Sequence, residues 1–156
     1  MSQATSKANS PAFGTVVSIG GVTGAGGTTF VAVGQIHDAK LSGIKTPTVD
    51  VSTFAQLAKR KLGTLPDYGT FTFTVLRETG DAGQTAMTAA AASAAAYDFK
   101  LQLPIDTAAG QATTGDLITF SGIVTEAGGF DISLTKQADI SYTIELDGAW
   151  TVTAGA

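Results

Sequence analysis

Cysteine is absent from all 156 residues, which removes disulfides and thiolate metal sites from consideration. Stability must come from packing or from association between subunits. Histidine occurs once, as His37, so a site with several histidine ligands cannot form within one subunit, and no G-x-S-x-G nucleophile elbow is present. Charge is also scarce: 14% of residues are charged, with nine basic against thirteen acidic and a pI near 4.7. Gripping nucleic acid requires Lys and Arg to neutralise phosphates, so that function class is disfavoured. Long apolar runs are missing as well. The amino-terminal MSQATSKANSPAF has no apolar core, and the alanine-rich run from Ala86 to Ala96 is interrupted by Thr88 and Ser93. The expectation is a cytoplasmically made protein with no membrane span.

What is present is a foldable chain. Hydrophobic residues make up 44%, enough to offset the entropy of ordering a single core. Residues 1–13 are polar and read as a flexible arm; residues 14–156 read as one domain. TFTFTVLR (Thr70 to Arg77) puts Phe71, Phe73 and Val75 on one face and Thr70, Thr72 and Thr74 on the other, the period of a half-buried strand. Similar alternation marks Phe99, Leu101 and Leu103; Ile118, Phe120 and Val124; Phe130, Ile132 and Leu134; and Ile140, Tyr142, Ile144 and Leu146. The fold class is mainly β. A strand from Gly14 to Ile19 and the segment FVAVGQI are joined by the glycine-rich Gly20 to Thr29, predicting a hairpin. Asp147-Gly148 predicts a second hairpin pairing the last two strands. One helix is expected. Asp81 and Gln84 have capping-box spacing, and the alanine-rich run to about Ala96 puts Met87, Ala90, Ala91 and Ala94 on one face.

Two glycine-rich comparisons fail. In GVTGAGGT (Gly21 to Thr28), Gly27 stands where a phosphate-binding loop needs lysine, and strand formers follow where a helix should start. Thr29 occupies the third glycine position of a dinucleotide-binding pattern. No catalytic, cofactor or metal set emerges. The unexplained feature lies between Gly43 and Tyr68, a long connection of the kind that is usually functional or disordered. It contains Lys59, Arg60 and Lys61, three of the nine basic residues.

Four stretches together resemble the tail tube proteins, or major tail proteins, of long-tailed bacteriophages: GIKTPTVDVSTF (43–54), LPDYGTFTFTV (65–75), GDAGQTAMTAAAASAAAYDFKLQLP (80–104) and DLITFSGIVTEAG (116–128). The resemblance runs from about Gly14 onward and rests on the order and spacing of the stretches. It implies a β-sandwich or barrel-like tail tube fold with one flanking helix and a long loop. It further implies hexameric rings whose inner strands form a continuous lumen and which stack into a conduit for DNA ejection, without enzymatic chemistry or cofactor. The implied partners are further copies of the chain, with tape measure, tail terminator and baseplate or tip proteins. DNA would pass without specific binding, and no membrane is involved. The implied location is the virion tail, after assembly in the host cytoplasm. The long loop would reach a neighbouring ring, giving an expected ring-ring interface of Phe54, Leu57, Lys59, Arg60, Lys61, Leu62, Leu65, Asp67 and Tyr68. Two alternatives stay open: a monomeric β-sandwich module binding carbohydrate or another surface ligand, and the tube of a contractile or type VI secretion machine.

Overall fold

A computed structural model describes residues 14–24, 29–55 and 57–156. The expected amino-terminal arm, 1–13, and part of the glycine-rich turn, 25–28, lie outside the described residues. The elements are β1 (Val16–Val22), β2 (Val31–Val33), β3 (Ile36–Leu41), β4 (Thr48–Asp50), β5 (Lys61–Gly63), β6 (Thr70–Leu76), α1 (Ala82–Ser93), β7 (Ala96–Gln102), β8 (Leu117–Ser133), β9 (Lys136–Leu146) and β10 (Thr151–Thr153). One antiparallel sheet runs β2-β1-β7-β8-β9-β6-β3, with β10 attached to β8. Its two edge strands are joined only by Gly34 and Gln35. The three Cα–Cα steps from Val33 to Ile36 reach at most about 11 Å, so the sheet must curl until its edges approach there. The result is the expected mainly β, barrel-like architecture with one flanking helix.

The core lies inside the curl. Phe71, Phe73 and Val75 of β6 are buried, in register with Ile144, Tyr142 and Ile140 of β9. Aromatic rings carry the contact across the curl: Phe71 meets Phe120 of β8 at 5.3 Å, and Phe120 stacks on Phe99 of β7 at 5.5 Å. Burial pushes the Tyr142 hydroxyl above the ordinary phenol range. The threonines of β6 alternate to the opposite face, as the sequence predicts.

The helix starts as expected and departs from expectation in its second residue. Asp81 accepts a hydrogen bond from the Gln84 amide at 2.8 Å, but Gln84 does not reach back to complete the box. Its side chain is fully buried. There its Oε1 accepts from the Glu78 amide at 3.2 Å and its Nε2 donates to the Leu76 carbonyl at 2.9 Å. Close packing imposes this choice. A Cβ at Gly83 would stand 2.3 Å from the Ala32 carbonyl oxygen, so only glycine lets the first turn lie on β2, and Gln84 is carried in toward the end of β6. A Gln84→Met variant leaves that carbonyl and amide unpaired. It is expected to lose about 1–3 kcal/mol, seen as a lower urea midpoint at unchanged slope.

Three other expectations are corrected. The helix ends at Ser93, with Ala94 exposed in the left-handed region at φ 54 rather than packed, because β7 already begins at Ala96. β9 and β10 do not form a hairpin. Leu146 pairs with Gly122 and Thr151 with Thr119, so β10 continues along β8 in the direction of β9 after a four-residue interruption. Trp150 packs against the core there, and the Ala156 carbonyl accepts from the amides of Ala112, Thr113 and Thr114. Both contacts hold the chain against β8 where Asp147-Gly148 would otherwise turn it back. Finally, Phe130, Ile132 and Leu134 belong to the β8–β9 tip and are 59%, 71% and 108% exposed rather than buried in a core. The β1–β2 hairpin, by contrast, forms as expected.

Candidate assembly interface

The connection between β3 and β6 is a two-stranded ribbon rather than an irregular loop. Thr48 pairs with Gly63, Val49 with Leu62 and Asp50 with Lys61. The ladder extends outward through the Val51 amide to the Arg60 carbonyl, and inward through the Thr64 amide to the Pro47 carbonyl and the bridge of Lys45 with Asp67. Seven residues along one strand and eight along the other give an arm on the order of 20 Å long. At its base Asp67 accepts from the Gly69 amide at 2.9 Å. Gly69 has φ +90 and leaves no room for a Cβ beside Ser42, so this turn requires glycine and re-aims the chain into β6.

All described residues from 43 to 67 are exposed. Phe54 is 114% exposed, Leu57 108%, Leu65 87% and Leu62 62%, with Ile44, Val49 and Val51 between 44% and 52%. An isolated ribbon of this kind is marginal in water, and Phe54 and Leu57 at its outer end gain nothing from their own subunit.

Electrostatics points the same way. Lys45, Lys59, Arg60 and Lys61 against Asp50 and Asp67 make the arm net +2, while the rest of the chain is net −6, together the chain's −4. The Asp50 carboxylate is turned to its own strand end: it accepts from the Ser52 hydroxyl and from the Ser52 amide at 2.9 Å, which hold it below the usual carboxylate range. Among the described residues, Lys59, Arg60 and Lys61 have no carboxylate within ion-pair distance.

Of the residues expected at an interface, Phe54, Leu57, Lys59 and Arg60 lie toward the arm's outer end, and Lys61 and Leu62 on β5. Leu65 and Asp67 lie near its base. Tyr68 is half-buried at the junction with the body. Sequence reasoning did not single out the second exposed apolar group, Phe130, Ile132 and Leu134. Its alternation is the same as that of a core strand.

The sheet face opposite the core has a separate character. Register places Thr70, Thr72, Thr74, Ser141 and Thr143 there, together with Asp38, Lys40, Glu126, Asp131, Asp139 and Glu145. It is a hydroxyl-rich, acidic surface spanning β3, β6, β9 and β8. His37 Nε2 lies 3.4 Å from Asp139 Oδ1 at one end of it. Among the described residues no cluster of His, Cys, Asp or Glu is placed to hold a metal ion, and no helix is long and apolar enough to cross a membrane.

No protein-family model matches the chain, and no curated protein matches it by sequence. Solved structures do match. The tail of an empty gene transfer agent particle, refined with C6 symmetry, superposes with TM-score 0.62 at 15% identity, covering 89% of this chain and 95% of that one. The sheath-tube complex of an extracellular contractile injection system gives 0.65 at 13% identity over 95% and 93%. The SPP1 tail tube gives 0.64 at 13% identity over 92% and 80%. The chain therefore has the tail tube fold.

Proposed function

We propose that this protein is a structural tube subunit whose copies close into hexameric rings and stack into the tail tube of a virion, the conduit for DNA ejection. The observation that carries this reading is the arm: an exposed apolar ribbon whose cations have no ion-pair partner among the described residues has no use within one subunit and an evident one between subunits. A monomeric binding module would have no reason to hold Phe54 and Leu57 fully in water. The tail tube fold supports the same reading. The role is one of self-assembly without bond-making chemistry. Terminator and baseplate proteins are the partners at the two ends, and a tape measure protein is the partner in the lumen.

Within such a tube the hydroxyl-rich face of β3, β6, β9 and β8 is the surface suited to the lumen. Its described side chains include five carboxylates and one permanent cation, Lys40. Phosphates are repelled and no base or backbone is held, so a duplex can slide. The arm's cations are then kept away from DNA, against protein.

Electron microscopy of the purified chain tests the proposal. Rings with a central hole and sixfold symmetry, or tubes built from them, are expected, with their fraction rising with concentration. A species that stays monomeric at every concentration and ionic strength would overturn it. Whether the tube sits in a flexible tail or inside a contractile sheath is decided by the same micrographs on whole particles.

A further inference from the structure

We infer that the arm of one subunit seats on the β8–β9 tip of the next, so that opposite ends of the same sheet form the ring-to-ring contact. This rests on the tube reading and identifies the surface that receives the arm.

Register fixes the geometry. At one end of the sheet Leu41 lies beside Phe71 and Phe71 beside Ile144; the arm springs from this end, directly after β3 and before β6. At the other end Ile36 lies beside Val75, Val75 beside Ile140 and Ile140 beside Phe130, and here β8 and β9 run on past the edge of the core to their turn. Arm and tip therefore spring from opposite ends of one body. Full exposure of Phe54, Leu57 and Leu134 shows that they do not meet within the subunit, but they meet naturally when identical subunits stack head to tail.

The two ends are also chemically matched. Each carries large apolar side chains in water: Phe54, Leu57, Leu62 and Leu65 on the arm, Phe130, Ile132 and Leu134 on the tip. Their net charges are opposite. The arm, with Lys59, Arg60 and Lys61, is net +2, whereas residues 130–139 of the tip carry Asp131 and Asp139 against Lys136, net −1, and place Asp131 directly across from Asp139. Like charges in a cross-strand pair are destabilising. Among the described side chains His37 stands beside Asp139, and Asp131 is exposed at the tip, where a cation from another subunit can reach it. Arm-to-arm contact would set net +2 against net +2, and tip-to-tip contact would set net −1 against net −1. Only the arm-to-tip arrangement is complementary. It is heterologous, and a heterologous contact propagates along an axis instead of closing as a dimer.

The absence of cysteine makes a direct test clean. Full-length protein carrying both Leu57→Cys and Leu134→Cys, assembled and treated with a short bis-maleimide, is expected to give a ladder of covalent multimers on denaturing gels. Each single-cysteine variant is expected to stay monomeric. Dimers from Leu57→Cys alone would overturn the assignment in favour of arm-to-arm contact. Tubes of normal appearance without a ladder would overturn it while leaving the tube reading intact; absence of rings and tubes from the unmodified protein would overturn both.

A second variant isolates the charge of the tip. Asp131→Lys removes the like-charge pair inside the subunit, so its melting temperature is expected to hold or rise, while the concentration needed for stacking rises about tenfold. Stacking of Asp131→Lys at the unmodified protein's threshold would overturn the role given to the tip.

Discussion

Replacing Phe73 by aspartate abolishes folding of the subunit. Phe73 is 1% exposed, at the centre of β6. Its ring packs against Phe71 at 5.4 Å and against Tyr142 at 5.2 Å. Losing that side chain alone costs about 3–5 kcal/mol through lost transfer energy and the cavity left behind. The carboxylate must then either ionise among Phe71, Tyr142 and Ile144 or take up a proton, and both add several kcal/mol. A domain of this size has only about 5–15 kcal/mol in total. The expected result is insoluble protein, or soluble protein with no cooperative thermal transition by circular dichroism. Thr72→Asp is the matching control. Thr72 lies one residue away on the hydroxyl-rich face, opposite Lys40, and its variant is expected to melt within about 0.5 kcal/mol of the unmodified protein. If Phe73→Asp melted cooperatively and Thr72→Asp did not, the two faces of β6 would be reversed, and the lumen face with them.

That contrast marks what was legible in the sequence. β6 could be read because its neighbours alternate between phenylalanine and threonine, and both faces have an evident medium, core or water. The helix start could be read because Asp81 caps it locally. Expectation failed where the deciding partner was distant in sequence. Gln84 has capping-box spacing, but its true partners are backbone groups of Leu76 and Glu78 that only packing brings near. Asp147-Gly148 carries a strong turn signal, but Trp150 and the contacts of residues 155–156 hold the chain on β8.

The candidate interface shows a deeper limit. Phe130, Ile132 and Leu134 alternate like Phe71, Phe73 and Val75. Periodicity reports that a strand has an apolar face and says nothing of what covers it. In β6 the cover is the subunit's own core; at the β8–β9 tip the subunit supplies none. In the arm, Pro47 and Pro66 and the short apolar spacing of Val49 and Val51 concealed a ribbon whose strands need each other and whose side chains need another molecule. The basic cluster was the one clear marker there, because concentrated positive charge in an acidic chain stands out whatever the fold.

Reversing that cluster gives the second large effect. Lys59→Glu, Arg60→Glu and Lys61→Glu together change the arm from net +2 to net −4. All three side chains are exposed and without ion pairs among the described residues, so the subunit's melting transition is expected to stay within about 0.5 kcal/mol. Assembly responds differently. Six arms per ring would present like charge to an acidic neighbouring surface, and each misplaced pair adds to the cost of every stacking step. Long tubes are expected to disappear from micrographs, leaving isolated rings or subunits by sedimentation.

Salt acts on the two proteins in opposite directions. Screening falls to a length of about 8 Å at physiological ionic strength and about 3 Å at 1 M, so added salt slows stacking of the unmodified protein and partly restores it in the triple variant. The apolar contribution of Phe54, Leu57, Leu62 and Leu65, at about 25 cal/mol per Å² buried, is not screened, which is why restoration is possible at all. A triple variant that forms tubes of normal length at low salt would show that the arm's cations face solvent in the assembly, leaving its apolar residues as the only candidates for the contact.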